Sequence, residues 1–169
     1  YLVSSKSRQN FIRNLALKLK GNTLVLFQLV EKHGKNLYEI IKDKAADEQK
    51  VFYIFGGVEA DEREAIRGIV EKQKNAIIVA SLGTFSTGIN IRNLHNIVFA
   101  SPSKSQIRVL QSIGRGLRKS DNNKATKLFD VIDNLCNDVS KNFSWHHGKD
   151  RLKIYEKEKF NFKTYEIEI

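Results

Sequence analysis

"TLVLFQL", residues 23–29, decides the fold. The run is short, almost wholly apolar and rich in strand formers, with Leu24 to Phe27 unbroken by any polar residue, so it predicts a strand buried on both faces. Strands of that kind belong to parallel sheets, because crossover helices cover both sides. Working outward, "KVFYIF" (50–55), "AIIVAS" (76–81) and "NIVFAS" (96–101) repeat the pattern, and "TKLFDVID" (126–133) adds a fifth candidate. Helical spacing separates them. Phe11, Ile12, Leu15 and Leu19 fall on one face before a stop at Gly21, and Leu37, Ile40 and Ile41 follow a polar turn through Lys32, His33 and Gly34. Residues 59–74 read as a charged helix buried through Ala65, Ile66, Ile69 and Val70. After Pro102 the spacing predicts a helix over 103–119, followed by the polar loop "SDNNK". Strands alternating with helices imply right-handed crossovers, and hence an α/β domain with a doubly wound parallel sheet. In such sheets ligands bind beyond the C-terminal ends of the strands. The loops after Leu29, Phe55, Ser81 and Ser101 are therefore the places to look.

Length and composition agree with one domain: 169 residues, 41% hydrophobic and 28% charged, suffice for a single core. Residues 1–133 are read as the main body, and 134–169 as a basic, mostly helical extension of the same domain, helical to about Lys159. The closing "FKTYEIEI" (162–169) alternates like an edge strand. No internal repeat or low-complexity segment is visible. No apolar run approaches the roughly 18 residues a membrane span needs, and no membrane partner is expected. The single cysteine, Cys136, excludes an internal disulfide framework and a multi-cysteine metal site, and it fits a reducing, cytoplasmic compartment. A chain with no methionine that starts at Tyr1 reads as a piece of a longer protein. With 29 Lys and Arg against 19 Asp and Glu, the net charge of +10 favours polyanionic partners through counterion release.

No GxxxxGK[ST], HExxH, CxxC or GxSxG pattern occurs, so no nucleotide triphosphate or catalytic metal is held strongly by this chain alone. A different feature carries chemistry. In "QSIGRGLRK" (111–119), Arg115 and Arg118 stand three residues apart, which on a helix projects two planar guanidinium forks from one side toward phosphate oxygens. Gly114 and Gly116 weaken that helix by about 1 kcal/mol each relative to alanine. A solvated basic face explains the arginines but not the glycines, and unexplained local violations mark functional sites. The glycine- and hydroxyl-rich loop "ASLGTFSTGINI" (80–91) is the second feature, with Gly83 and Gly88 permitting close backbone approach. Its Thr84, Ser86 and Thr87 offer short hydroxyls to a phosphate. An ordinary turn between strand and helix would also use these residue types.

"QSIGRGLR" resembles the QxxGRxxR motif VI of superfamily 2 helicases, and "ASLGTFSTGINI" resembles their motif V, in the same order and spacing. The resemblance covers about residues 4–133. It implies the second RecA-like motor domain of an ATP-dependent DNA helicase that unwinds or remodels branched DNA. ATP and Mg²⁺ would then be held mainly by an N-terminal RecA-like domain of the same protein, outside this sequence. Arg118 is implied to be the arginine finger, with Arg115 supporting it and Gln111, Gly88 and Asn90 near the nucleotide. Asn90 stands where many relatives have aspartate. Thr84 is implied as a strand contact, beside Ser86. An RNA helicase keeps the same mechanism on another substrate, and a non-enzymatic nucleic-acid module is a further alternative, although a pure binder has no use for "GRGLR".

Weaker candidates complete the set. Gln28, Lys32 and His33 follow the first strand where the family's motif IV touches nucleic acid, or they form a solvated turn. Gly57, in "FGG", seats a phosphate on backbone N–H groups or closes a tight turn. Lys149, Arg151 and Lys153 crowd a basic stretch suited to a nucleic-acid backbone. Trp145, His146 and His147 suggest stacking or a metal, but no cysteine or carboxylate stands at ligand spacing, which favours packing and no metal site. Asp61 and Glu62 suit a helix N-terminus through its dipole.

Overall fold

A computed structural model describes residues 2–86, 91, 93–101, 126–135 and 142–169. In chain order its elements are α1 (Lys6–Lys18), β1 (Thr23–Phe27), a π-helical turn (Val30–Gly34), α2 (Lys35–Lys44), β2 (Val51–Ile54) and α3 (Ala60–Lys72). Then come β3 (Ile77–Ser81), the short α4 (Leu82–Ser86), β4 (Asn96–Phe99), β5 (Lys127–Asp130) and α5 (Phe143–Lys157).

The five strands pair in the order β2-β3-β1-β4-β5, all parallel. All five residues of β1 are buried, because β1 lies between β3 and β4 and is covered on both faces. Alternation then sorts the side chains into two cores. Leu24 and Leu26 point to one face with Ile78, Ile97, Phe99, Val70 from α3 and Tyr155 from α5. Val25 and Phe27 point to the other with Val79, Val98, Ile12 and Ala16 from α1, and Leu37 and Ile41 from α2. Each such aliphatic side chain removed from water contributes about 1.5–3 kcal/mol.

The helices begin where local chemistry predicts. Ser5 caps α1 by accepting from the Arg8 N–H, and Asn142 caps α5 by accepting from the Trp145 N–H at 3.1 Å. Asp61 and Glu62 do lie in the first turn of α3. Two expectations are corrected. Ala65 is exposed and Ile69 is 39% exposed, so α3 buries a narrower stripe, centred on Val70 with Ile66 at its margin. "FKTYEIEI" forms no edge strand: residues 160–169 carry no strand pairing, and Tyr165, Ile167 and Ile169 are exposed.

The C-terminal extension is stapled to the sheet. Arg151, on α5, is fully buried and donates from Nε and Nη2 to the two Asp130 oxygens at 2.6 and 2.8 Å. Tyr155 Oη donates to the same carboxylate at 2.8 Å, and burial beside Asp130 raises the Tyr155 pKa. Asp133 is held from the opposite side by Arg8 of α1, through Nε at 2.6 Å and Nη2 at 3.1 Å, while Arg8 Nη1 donates to the Ala100 carbonyl. Two buried arginine–aspartate forks thus fasten α5 and α1 to the last strand and the residues after it.

Candidate functional site

Because the sheet is wholly parallel, the residues after β1, β2, β3 and β4 come out along one edge. At β1, Gln28 is exposed and its backbone N–H donates to Ser101 Oγ at 3.1 Å. The π-helical turn follows at once and gives its residues opposite fates: Glu31 and Lys32 face solvent, whereas His33 and Gly34 are buried. Gly34 is required, because the Phe27 ring occupies the position a Cβ would take. Lys32 is thus presented by a turn with a packed underside.

His33 is corrected by this geometry. Its imidazole is fully buried, with Nδ1 3.1 Å from Ser101 Oγ, so it is not a solvent-facing phosphate contact. Burial and then the charge of Arg8 lower its pKa from 6.5 to about 4, and the ring is neutral at physiological pH. Beyond β2, the Val58 N–H donates to the Phe55 carbonyl at 3.0 Å, closing a tight turn in which Gly56 and Gly57 are exposed. Tyr53 Oη donates to the Val30 carbonyl at 3.1 Å and ties β2 to the π turn. Burial, with help from Glu31 and Glu39, pushes the Tyr53 hydroxyl up to about 12.

At β3, Thr84 lies in α4 and is buried, its Oγ1 2.7 Å from Ser81 Oγ, and its backbone N–H donates to the same oxygen at 3.3 Å. The hydroxyl is engaged at the strand end, with the exposed Gly83 beside it. Ser86 closes α4. Gly88, Asn90 and Thr87 lie outside the described residues, as do Gln111, Arg115 and Arg118, the rest of the 103–119 segment, and Cys136.

The α5 cations divide. Lys149 and Lys153 are exposed, Lys149 with its Nζ 5.2 Å from the Trp145 ring centroid. Arg151 is corrected: its guanidinium is consumed by Asp130 inside the domain and is not a surface phosphate contact. Among the described residues no group of three His, Cys, Asp or Glu gathers as a metal site, and no helix is long and apolar enough to cross a membrane.

Sequence reasoning missed Arg8, Ser101 and the role of Asp133. A signal existed for Arg8, which stands four residues before Ile12 on the inward face of α1, and for "LFDVID", which sets two aspartates in an apolar strand run.

A five-stranded parallel sheet in this order, with helices on both faces and a glycine- and hydroxyl-rich turn after β3, defines the RecA-like fold of helicase C-terminal domains. The family model for the helicase conserved C-terminal domain matches residues 7–120, and the chain belongs to that family. It is 38% identical over 95% of its length to the ATP-dependent DNA helicase uvsW of Enterobacteria phage T4, of which it covers 34%. Against the crystal structure of T4 UvsW the TM-score is 0.73, at 36% identity over 93% of this chain and 34% of that one. The C-terminal domain of the DEAD-box protein Dbp5 shares the fold, with a TM-score of 0.68 at 13% identity over 92% of this chain and 82% of that one. The chain thus spans about a third of the length of its phage relative.

Proposed function

We propose that this domain is the second motor domain of an ATP-dependent superfamily 2 DNA helicase that remodels branched or single-stranded DNA in recombination and repair, in the bacterial host cytoplasm. The observation that carries this reading is the 38% identity, across nearly the whole chain, to a protein named as an ATP-dependent DNA helicase. ATP and Mg²⁺ are held mainly by the first motor domain of the same protein, where they supply the phosphoryl group and neutralise its charge. This chain contributes Arg118 as the finger, Arg115 beside it, and Gln111, Gly88 and Asn90 near the nucleotide. A transferring phosphoryl group spreads negative charge over its oxygens, and an arginine supplied across an interface accelerates hydrolysis by about 10³–10⁵.

The nucleic-acid side is the C-terminal sheet edge. Gln28, Lys32, Gly57 and Ser86 line it, Thr84 sits buried behind them with its hydroxyl on Ser81, and Lys149 and Lys153 extend the grip along α5. The solvent-facing Lys32 and the open turn at Gly56 and Gly57 support this assignment, as does the +10 charge. Nucleotide binding closes the two motor domains and hydrolysis reopens them, so grip alternates along the backbone. In the full-length protein, Arg118→Ala should retain DNA affinity and lose ATP hydrolysis by at least about 10²-fold. Lysine should rescue poorly, being a point charge without the fork. Near-normal hydrolysis by Arg118→Ala would overturn the finger.

A further inference from the structure

We propose that His33 and Ser101 form a latch that makes His33 a positioning residue for the arginine-bearing segment that follows Ser101 in sequence; this rests on the motor reading above. Three observations carry it.

The first is how the latch is wired. Ser101 Oγ accepts the Gln28 N–H at 3.1 Å and lies 3.1 Å from His33 Nδ1. Ser101 Oγ is thus the shared atom of two contacts, one to the backbone of Gln28 and one to the imidazole of His33. The latch therefore joins the loop after β1 to the exit of β4 through one hydroxyl.

The second is that the strands do not need it. β1 and β4 are already paired in register from Thr23↔Asn96 to Leu26↔Phe99, and the Ala100 N–H donates to the Leu26 carbonyl at 2.9 Å. The latch lies beyond that ladder and fixes the two loops to each other. An apolar pair would hold a merely structural contact there without desolvating an imidazole.

The third is that the backbone is bent to deliver the ring. The π turn has the His33 and Gly34 N–H groups both donating to the Leu29 carbonyl, at 3.2 and 2.9 Å, which turns two successive residues inward. Such turns concentrate at functional sites. His33 Nε2 is buried and has no hydrogen-bond partner among the described residues. A buried ring nitrogen kept without a partner in one state is suited to a polar group that arrives in another. Lys32, one residue earlier, faces solvent, so a backbone phosphate gripped there pulls on the same turn that holds Ser101.

The test uses the full-length protein with His33→Leu, Ser101→Ala and His33→Asn, whose side-chain amide can still hydrogen-bond the serine hydroxyl. DNA-stimulated ATP hydrolysis should lose at least tenfold in kcat in the Leu and Ala variants, while KM for ATP and Kd for DNA stay within twofold. His33→Asn should recover at least a third of the lost rate. Unchanged kcat in both latch variants, or an Asn variant no better than Leu, would overturn the positioning role while leaving the motor reading intact. A wild-type protein without DNA-stimulated hydrolysis would sink both. Nitrogen-15 NMR of the imidazole reads the latch separately: the Nδ1 resonance should shift in Ser101→Ala, and an unmoved Nδ1 resonance would overturn the contact whatever the hydrolysis shows.

Discussion

The two ends of the sheet solve opposite problems. At the end where the strands begin, Asn22 is fully buried and spends its whole side chain on backbone: Nδ2 donates to the carbonyls of Val70, Gln73 and Asn93, and Oδ1 accepts the Ala76 N–H at 2.8 Å. Its own N–H donates to His95 Nδ1. Asn96 does similar work beside it, donating to the Lys20 carbonyl and Thr23 Oγ1. At the end where the strands finish, Gln28, Lys32, Gly56, Gly57 and Gly83 are open to solvent, and a buried imidazole keeps one nitrogen unpartnered. One end closes the fold and the other leaves Gln28, Lys32 and the three glycines at the surface. Parallel strands force the division, because every connection that could carry function emerges on the same side.

Four substitutions would break or sharpen that contrast. The largest effect belongs to neither end but to the clamp on β5: Arg151→Ala should destabilise the domain by about 3–5 kcal/mol, because Asp130 is left as an uncompensated buried charge. Urea denaturation measures it, and a loss below about 1 kcal/mol would mean that α5 docks without the fork. Next comes Asn22→Ala, expected to cost about 2–4 kcal/mol by orphaning buried backbone groups at the closed end. DNA affinity measured on the folded variant should be unchanged, and a matching loss of affinity would blur the two ends.

Third is a pH effect. The folded-state pKa of His33, about 4, lies below its ordinary 6.5, so the unfolded chain binds the extra proton. The stability tied to the neutral ring is full above about pH 6.5 and is lost as pH falls toward about 4. Linkage puts the loss at about 3 kcal/mol. Comparing unfolding free energies at pH 7 and pH 4.5 for wild type and His33→Asn should show a shallower decline in the variant; parallel declines would assign the acid sensitivity elsewhere. The smallest is Lys32→Ala, which should shift stability by less than about 0.5 kcal/mol. It should also reduce the slope of log affinity against log salt by about 0.9 on duplex DNA, the value for one lost phosphate contact. An unchanged slope would remove the open end from the DNA grip.

The central strands β1, β3 and β4 were legible because burial on both faces leaves a mostly apolar run, and each of the five predicted runs contains an observed strand. Helix faces were less so. Ile69 looks inward by spacing, yet it is 39% exposed, because α3 meets the sheet only along the line of Val70. The closing "FKTYEIEI" has strand alternation, yet none of its residues pairs with a strand among the described residues, and alternation alone makes no ladder. At the site, the solvent exposure of Gln28 and Lys32 was readable from residue type. The fates of His33 and Arg151 were not. Both are polar residues in polar surroundings along the chain, and their burial is decided by Ser101 and Asp130, which are distant in sequence.

The strand order also sets the timing of synthesis. β1 is the first strand made, yet it lies at the centre of the sheet, and its partners come later: Thr23 pairs with Ile77 and with Asn96. At roughly 5–20 residues per second, a nascent chain waits about 3–10 seconds between making β1 and making β3. During that interval the four apolar residues of β1, Leu24 to Phe27, have no strand to join, and α1 covers only one face. This domain therefore folds after most of it has left the ribosome, and TLVLF is its most aggregation-exposed segment until then.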